Sequence, residues 1–332
     1  MPAACIVNSL KFFGRGDWVM ARRRIGQEAL RLGDAGAKRG PGALDDIAGM
    51  IDWLEIDQDL SPIYRSASGE KSWPPLAMVK ALLLSVWYDL SDVKLAEALD
   101  DRASFRRFCG FAASEPTPER TAFVRFRKEL VRHGLDTVLF EAVTRQLDEK
   151  NVMVKTGTLV DATIIASASI TKDEEARWVG HRRKAAVHGY TAHVATDADG
   201  GIVRRIEMTP ANVNDGRMLG AVLPPDPGNV HADLAYASSR NEILIRDAGG
   251  SSRLPGRALW GGAEALEKLE AWNREVGHVR RRIEKVFGTW KRSYGLRRMR
   301  WIGLAKAGLQ VRLTAIAFNL TRTRNILRER MA

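Results

Sequence analysis

Three acidic residues stand in contexts that could hold divalent cations: Asp161 in TGTLVDATII, Asp233 in GNVHADLAY and Glu284 in HVRRRIEKVFGTWKR. Carboxylate oxygens suit Mg2+, which keeps much of its water and takes few protein ligands, better than His or Cys clusters do. Two such ions can activate a water or a 3′-hydroxyl and stabilise both the attacking and the leaving oxygen at a phosphodiester. Separations of 72 and 51 residues exclude a single local motif. The chemistry therefore depends on distant elements bringing the carboxylates together.

Both aspartates follow apolar residues in strand-like runs, Leu159 and Val160 before the first, Val230 and Ala232 before the second. A carboxylate on a buried support is costly unless it is paired or metal-bound. Either Asp could instead cap a strand end or the following turn. On a continuous helix, Arg280, Glu284 and Lys291 are four and seven residues apart and share one face. That face borders an apolar stripe of Val279, Ile283, Val286, Phe287 and Trp290. Glu284 could then reach the sheet edge, with Arg280 and Lys291 beside it to meet DNA phosphates. The alternative is a solvated helix whose ion pair contributes only ~0.3–0.5 kcal/mol.

Around these residues the texture is β-rich after Lys155. TGTLVDATIIAS reads as a strand, followed by a polar loop, TKDEEARWVGHRRKAAVHG, in which Trp178, His181, Arg182, Arg183 and Lys184 could grip flanking DNA or equally form a disordered surface loop. TAHVATDA and GIVRRIEMTP form a hairpin around Asp199-Gly200-Gly201, with Asp197 and Asp199 as turn formers. A short helix NDGRMLGAVLP, a buried strand VHADLAY, a helix SRNEILIRDAG and a short strand SSRLP follow. A variable connection over 256–274, a long helix over 275–293 and two helical pieces complete the chain. Strands first antiparallel, then alternating with helices, predict a mixed sheet covered by helices.

Upstream, 76–149 reads as helices throughout. Ser91 is placed to cap DVKLAEALDD, and Thr117 with Pro118 to start the helix PERTAFVRFRKELVRHG. Short helices on tight turns fit a helix-turn-helix arrangement that would bring ASFRRFCGF or PERTAFVRFRKEL, with Arg106, Arg107 and Arg125, to a major groove. A plain helical bundle has the same pattern. Before the break at Pro74-Pro75 lie a helix LDDIAGMIDWLEI from about Leu44 and a short helix over 21–32. The organisation expected is an arm at 1–73, a helical DNA-binding domain at 74–150 and a catalytic domain at 151–325 with an insertion near 250–274.

The net charge of +12 is unevenly spread: residues 271–332 hold sixteen Lys or Arg against Glu275, Glu284 and Glu329. Such a surplus favours a polyanion partner, although a solvated basic surface is the alternative. Two cysteines offer neither a disulfide framework nor a zinc set, as in a reducing cytoplasm. The longest apolar run, 76–88, contains Lys80 and is too short to span a bilayer. A soluble, intracellular protein is expected.

The residues carry a resemblance. Residues 156–322 resemble the catalytic domain of DDE transposases encoded by bacterial insertion sequences, specifically the fifth numbered family. Its C-terminal signature Tyr-x2-Arg-x3-Glu-x6-Lys is matched at Arg280, Glu284 and Lys291, while its Tyr falls on Gly277. GYTAHVATDADG, TPANVNDGRML, HADLAYASSRNE and YGLRRMRWIGLAKAGLQVRLTAIAFNLTR are similar to the family, as are PPLAMVKALLLSVWYDLSDVKLAEALDDRASFRRFCG and TPERTAFVRFRKEL upstream. The resemblance implies an α/β, RNase H-like fold with a mixed five-stranded sheet flanked by helices, preceded by the all-helical domain. It further implies Mg2+ or Mn2+ at Asp161, Asp233 and Glu284, two ions in all, with Arg280 and Lys291 positioning phosphates. Asn214 and Asp215 would support the site without being ligands. The partners implied are terminal inverted repeats and target DNA, met by a homodimer on paired ends in the bacterial nucleoid. A regulator that no longer cuts, and a nuclease without strand transfer, are the alternatives, since fold does not fix function.

Overall fold

The computed structural model describes residues 25–26, 42–63, 72–153, 155–181, 184–257 and 262–331, without the side chains of residues 181 and 184. The short helix expected over 21–32 and the side chains of Arg182, Arg183 and Lys184 lie outside the described residues.

The chain opens with helices α1 (Ala43–Met50), α2 (Trp53–Asp59), α3 (Pro75–Trp87), α4 (Asp92–Asp101), α5 (Ala103–Cys109), α6 (Arg120–Arg132) and α7 (Leu135–Glu149). The single helix expected from Leu44 is two, because Asp52 turns outward and caps α2, accepting from the Leu54 and Glu55 amides. Ser91 caps α4 by accepting from the Lys94 amide. Thr117 does not cap α6: Glu119 holds that position, and the Thr117 hydroxyl donates to Asp100 instead. The apolar run at 76–88 is α3, buried along nearly its whole circumference. No helix among the described residues is long and apolar enough to cross a membrane.

Six strands then form one sheet: β1 (Gly157–Ala166), β2 (Arg177–His181), β3 (Lys184–Asp197), β4 (Val203–Pro210), β5 (Asn229–His231) and β6 (Ser251–Arg253). The main order is β4-β3-β1-β5-β6, with β3 antiparallel to both β4 and β1, and β5 parallel to β1 and β6. These five strands are the expected mixed sheet, RNase H-like in order. The sixth, β2, pairs with the first half of β3 where a polar loop was expected. Its polar residues conceal it, because strand pairing there depends on the long β3 rather than on a buried face of its own. Asp197 forms the β3–β4 turn as predicted, accepting from the Gly200 and Lys155 amides.

Helices α8 (Leu219–Val222), α9 (Ser239–Asp247), α10 (Ala263–Arg280), α11 (Ile283–Arg292) and α12 (Leu304–Met331) complete the fold. The long helix predicted over 275–293 is interrupted at Arg281 and Arg282, where the Glu284 and Lys285 amides bond back three residues. The two final helical pieces are one helix, α12, which packs on α7, α3 and β4. β1 separates two cores. Leu159 and Ile165 join a large cluster running from Ile47 through Leu83 and Phe123 to Trp290 and Leu320. Val160 faces the smaller one, with Val230, Leu219, Tyr236 and Ile245.

Candidate active site

Register fixes where the two aspartates stand. Leu159 pairs with His231 at the end of the parallel β1–β5 ladder. Asp161 lies two residues past the first partner and Asp233 two past the second, at the notch where β5 ends and β1 continues. Asp161 remains within β1, its next residue paired to His193 of β3, so its backbone is rigid. Asp233 has left the strand and caps the single turn Leu234–Tyr236, accepting from the Ala235 amide at 2.7 Å. The capping alternative is thus realised at Asp233, but through one oxygen only.

The helical residues approach from the large-core side. Arg280 Nη1 donates to Asp161 Oδ2 at 2.6 Å, and its Nη2 lies 3.6 Å from Glu284 Oε1. Lys291 Nζ donates to the Ile164 carbonyl at 3.1 Å, further along β1. Across the break between α10 and α11, Arg280 and Lys291 both reach β1, while Glu284 is linked to it through Arg280. Asp161 is 17% exposed and Glu284 59%. Burial pushes the Asp161 carboxyl above its ordinary value; the Ala162 amide and Arg280 oppose this, while the charges of Asp233 and Glu284 add to it.

Among the described residues, no three His, Cys, Asp or Glu side chains converge closely enough to hold a metal ion. The donor chemistry nevertheless fits divalent cations. The negative charges of Asp233 and Glu284 both act on the buried Asp161 carboxylate, and the positive charge set between Asp161 and Glu284 is the Arg280 guanidinium.

Asp215, expected to support the site, lies beside the two aspartates. Burial raises its carboxyl, and the charges of Asp161 and Asp233 raise it further, so it belongs to the same electrostatic cluster. Tyr236 is raised by burial and then by Asp215, Asp161 and Asp233. The loop text NVND next to an otherwise complete acidic set was the available signal.

The residues expected to meet DNA in the helical region divide. Arg106 is corrected: it is 8% exposed, and its guanidinium donates to the carbonyls of Leu99, Ala112 and Glu115, locking the turn after α5. Arg107 is exposed and bonded to Asp45 at 3.1 Å. Arg125 is exposed on α6. Trp178 of β2 is also exposed and lies against His188 with ring centres 5.3 Å apart.

With the strand order and the acidic notch established, comparison with known families decides the relationship. The family described as Transposase DDE domain matches residues 153–320, just over half of the chain. The chain belongs to the DDE transposases. A second family, described as Transposase domain (DUF772), matches residues 37–129 of this transposase, from ahead of α1 into α6. Neither match singles out the fifth numbered family of insertion sequences. No solved structure gives a significant match.

Proposed function

We propose that this transposase binds terminal inverted repeats, cuts DNA at each element end with the help of divalent cations, and joins the freed 3′-hydroxyl to target DNA. The observation that carries the reading is the matched position of Asp161 and Asp233 past paired residues of adjacent parallel strands, with Arg280 set between Asp161 and Glu284. Bound at Asp161, Asp233 and Glu284, two Mg2+ or Mn2+ ions would supply activation of the attacking oxygen and stabilisation of the leaving one. β1 holds the Asp161 carboxylate on a buried support, so little reorganisation is needed there. Arg280 and Lys291 offer cationic groups at the same strand for the phosphates flanking the scissile bond. In the first step water oxygen bonds to phosphorus and the 3′-oxygen leaves. In the second, that 3′-hydroxyl attacks a target phosphodiester and displaces the target's own 3′-oxygen. Two ends joined to one target require at least a homodimer on DNA.

The test is strand transfer with purified protein, Mg2+ and a labelled duplex carrying the element's terminal repeat. Wild type should give joined product, whereas Asp161→Asn, Asp233→Asn and Glu284→Gln should bind the duplex without cutting or joining it. Retained cleavage in any variant removes that residue from the essential set. A pre-cleaved end separates the alternatives: a transposase joins it to a plasmid, a nuclease without strand transfer does not, and a regulator only binds.

A further inference from the structure

Asp215 begins a single turn, Asp215–Met218, mated to the turn that follows Asp233. Gly216 makes the mating possible, since a Cβ there would fall 2.2 Å from the Ala235 carbonyl oxygen. Asn241, buried in α9, fastens both turns by donating from Nδ2 to the carbonyls of Gly216 and Tyr236, each at 2.8 Å. The spacing between Asp215 and Asp233 is therefore set by backbone packing. Local folding does not ask for a carboxylate at 215, because Asn214 caps the turn by accepting from the Gly216 amide.

Two buried polar atoms at this place lack partners among the described residues. His193 of β3 is fully buried; its Nε2 lies 2.9 Å from Thr209 Oγ1, while its Nδ1 has no hydrogen bond and faces Asp215 Oδ1 at 3.7 Å. The Tyr236 hydroxyl belongs to a side chain only 1% exposed and is likewise unpartnered, within the electrostatic reach of Asp215, Asp161 and Asp233. An unsatisfied buried donor is costly, so each of these atoms favours a neighbouring acceptor. With a carboxylate oxygen opposite Nδ1, the favoured tautomer carries its proton there and accepts from Thr209 at Nε2. A small shift of Asp215 would complete that bond while leaving its second oxygen for the notch.

We propose that Asp215 is a fourth carboxylate of the divalent-cation site, and that His193 and Tyr236 are positioning residues that aim it towards Asp161 and Asp233. This rests on the metal-dependent reading above. Carboxylates serving a cation are generally themselves held by hydrogen bonds, and loss of such outer partners typically weakens metal affinity about 10- to 100-fold.

The experiment is titration of the full chain with Mn2+ alone, followed by the paramagnetic resonance signal of the free aqua ion. Asp161→Asn serves as reference and far-UV circular dichroism as the folding control. Asp215→Asn should weaken Mn2+ binding about tenfold or more, Tyr236→Phe several-fold, and Asp215→Glu should recover part of the loss. Wild-type affinity in Asp215→Asn, with Asp161→Asn impaired, overturns the proposal and leaves the metal-dependent reading intact. If Asp215→Asn does not fold, wild-type affinity in Tyr236→Phe overturns it instead. If no Mn2+ binding depends on Asp161, the metal-dependent reading falls and this proposal falls with it.

Discussion

Gly277 lies three residues before Arg280 inside α10, and a Cβ there would meet nothing within 4 Å. Glycine in a helix interior costs roughly 0.8–1.0 kcal/mol relative to alanine, so Gly277→Ala should raise stability by about 0.5–1 kcal/mol in urea unfolding. His193 behaves oppositely, as a group whose burial is costly. Burial lowers its pKa from 6.5 to about 4, so the unfolded chain takes up this proton first. Its contribution to stability is therefore constant above about pH 6.5 and declines as pH falls towards 4, by up to about 3 kcal/mol. Urea unfolding of wild type and His193→Phe at about pH 7.5 and pH 4.5 isolates this contribution. The variant should lose less stability on acidification, and equal losses would mean that the imidazole protonates freely in the folded protein.

At the scale of elements, α12 is tied to the sheet edge by one side chain. Asn319, fully buried, accepts from the Val203 amide and donates to the Val203 carbonyl, both at 2.8 Å, supplying β4 with the pairing a further strand would have given. Asn319→Leu would strand two buried backbone groups, each costing about 1–3 kcal/mol, so thermal or urea unfolding should show a loss of about 2–6 kcal/mol. Such ties explain what the sequence could and could not disclose. Ser91 was legible as a cap because its bond is to an amide three residues on. Thr117 was not, because its hydroxyl goes to Asp100 seventeen residues earlier, across the fold. β1 and the β3–β4 hairpin follow from apolar runs and turn residues that the sequence displays, whereas the side-by-side placing of Asp161 and Asp233 follows from the β1–β5 register, which it does not. β2 depends on a partner strand, and the break in the 275–293 helix is a local change in which amides bond back three residues to Arg281 and Arg282; neither leaves a periodic trace. Asp215 was named only as a support for the site, because what ties it to Asp233 is Gly216 against Ala235 and the two bonds from Asn241, all set by the tertiary fold.

Across the whole molecule, the basic surplus of residues 271–332 divides into two sets that composition cannot separate. Much of it is internal fastening. Arg324 and Arg328 hold Asp46 of α1 at 2.7 Å each, Arg312 holds Asp136 of α7 at 2.6 Å, and Arg300 reaches Asp89. Arg298, Arg322 and Arg330 donate to backbone carbonyls of distant segments. A different set faces solvent: Arg274, Arg281 and Lys285 are exposed, lie seven and four residues apart along α10 and α11, and carry no ion pair among the described residues. That stripe runs beside Glu284 on the same helices. If it meets phosphates, replacing all three by Gln should weaken binding to repeat and unrelated duplexes alike. The slope of log affinity against log salt should then fall by about 0.9 for each phosphate no longer neutralised. Arg312→Gln should do the reverse. It leaves the salt slope unchanged but strands Asp136, whose side chain is 9% exposed, and such uncompensated buried charges typically cost about 3–5 kcal/mol. Fluorescence anisotropy over a salt series, paired with urea unfolding of the same two variants, distinguishes the outcomes. A slope unchanged in the triple variant would move the DNA path away from α10 and α11 and towards the helical region around Arg125.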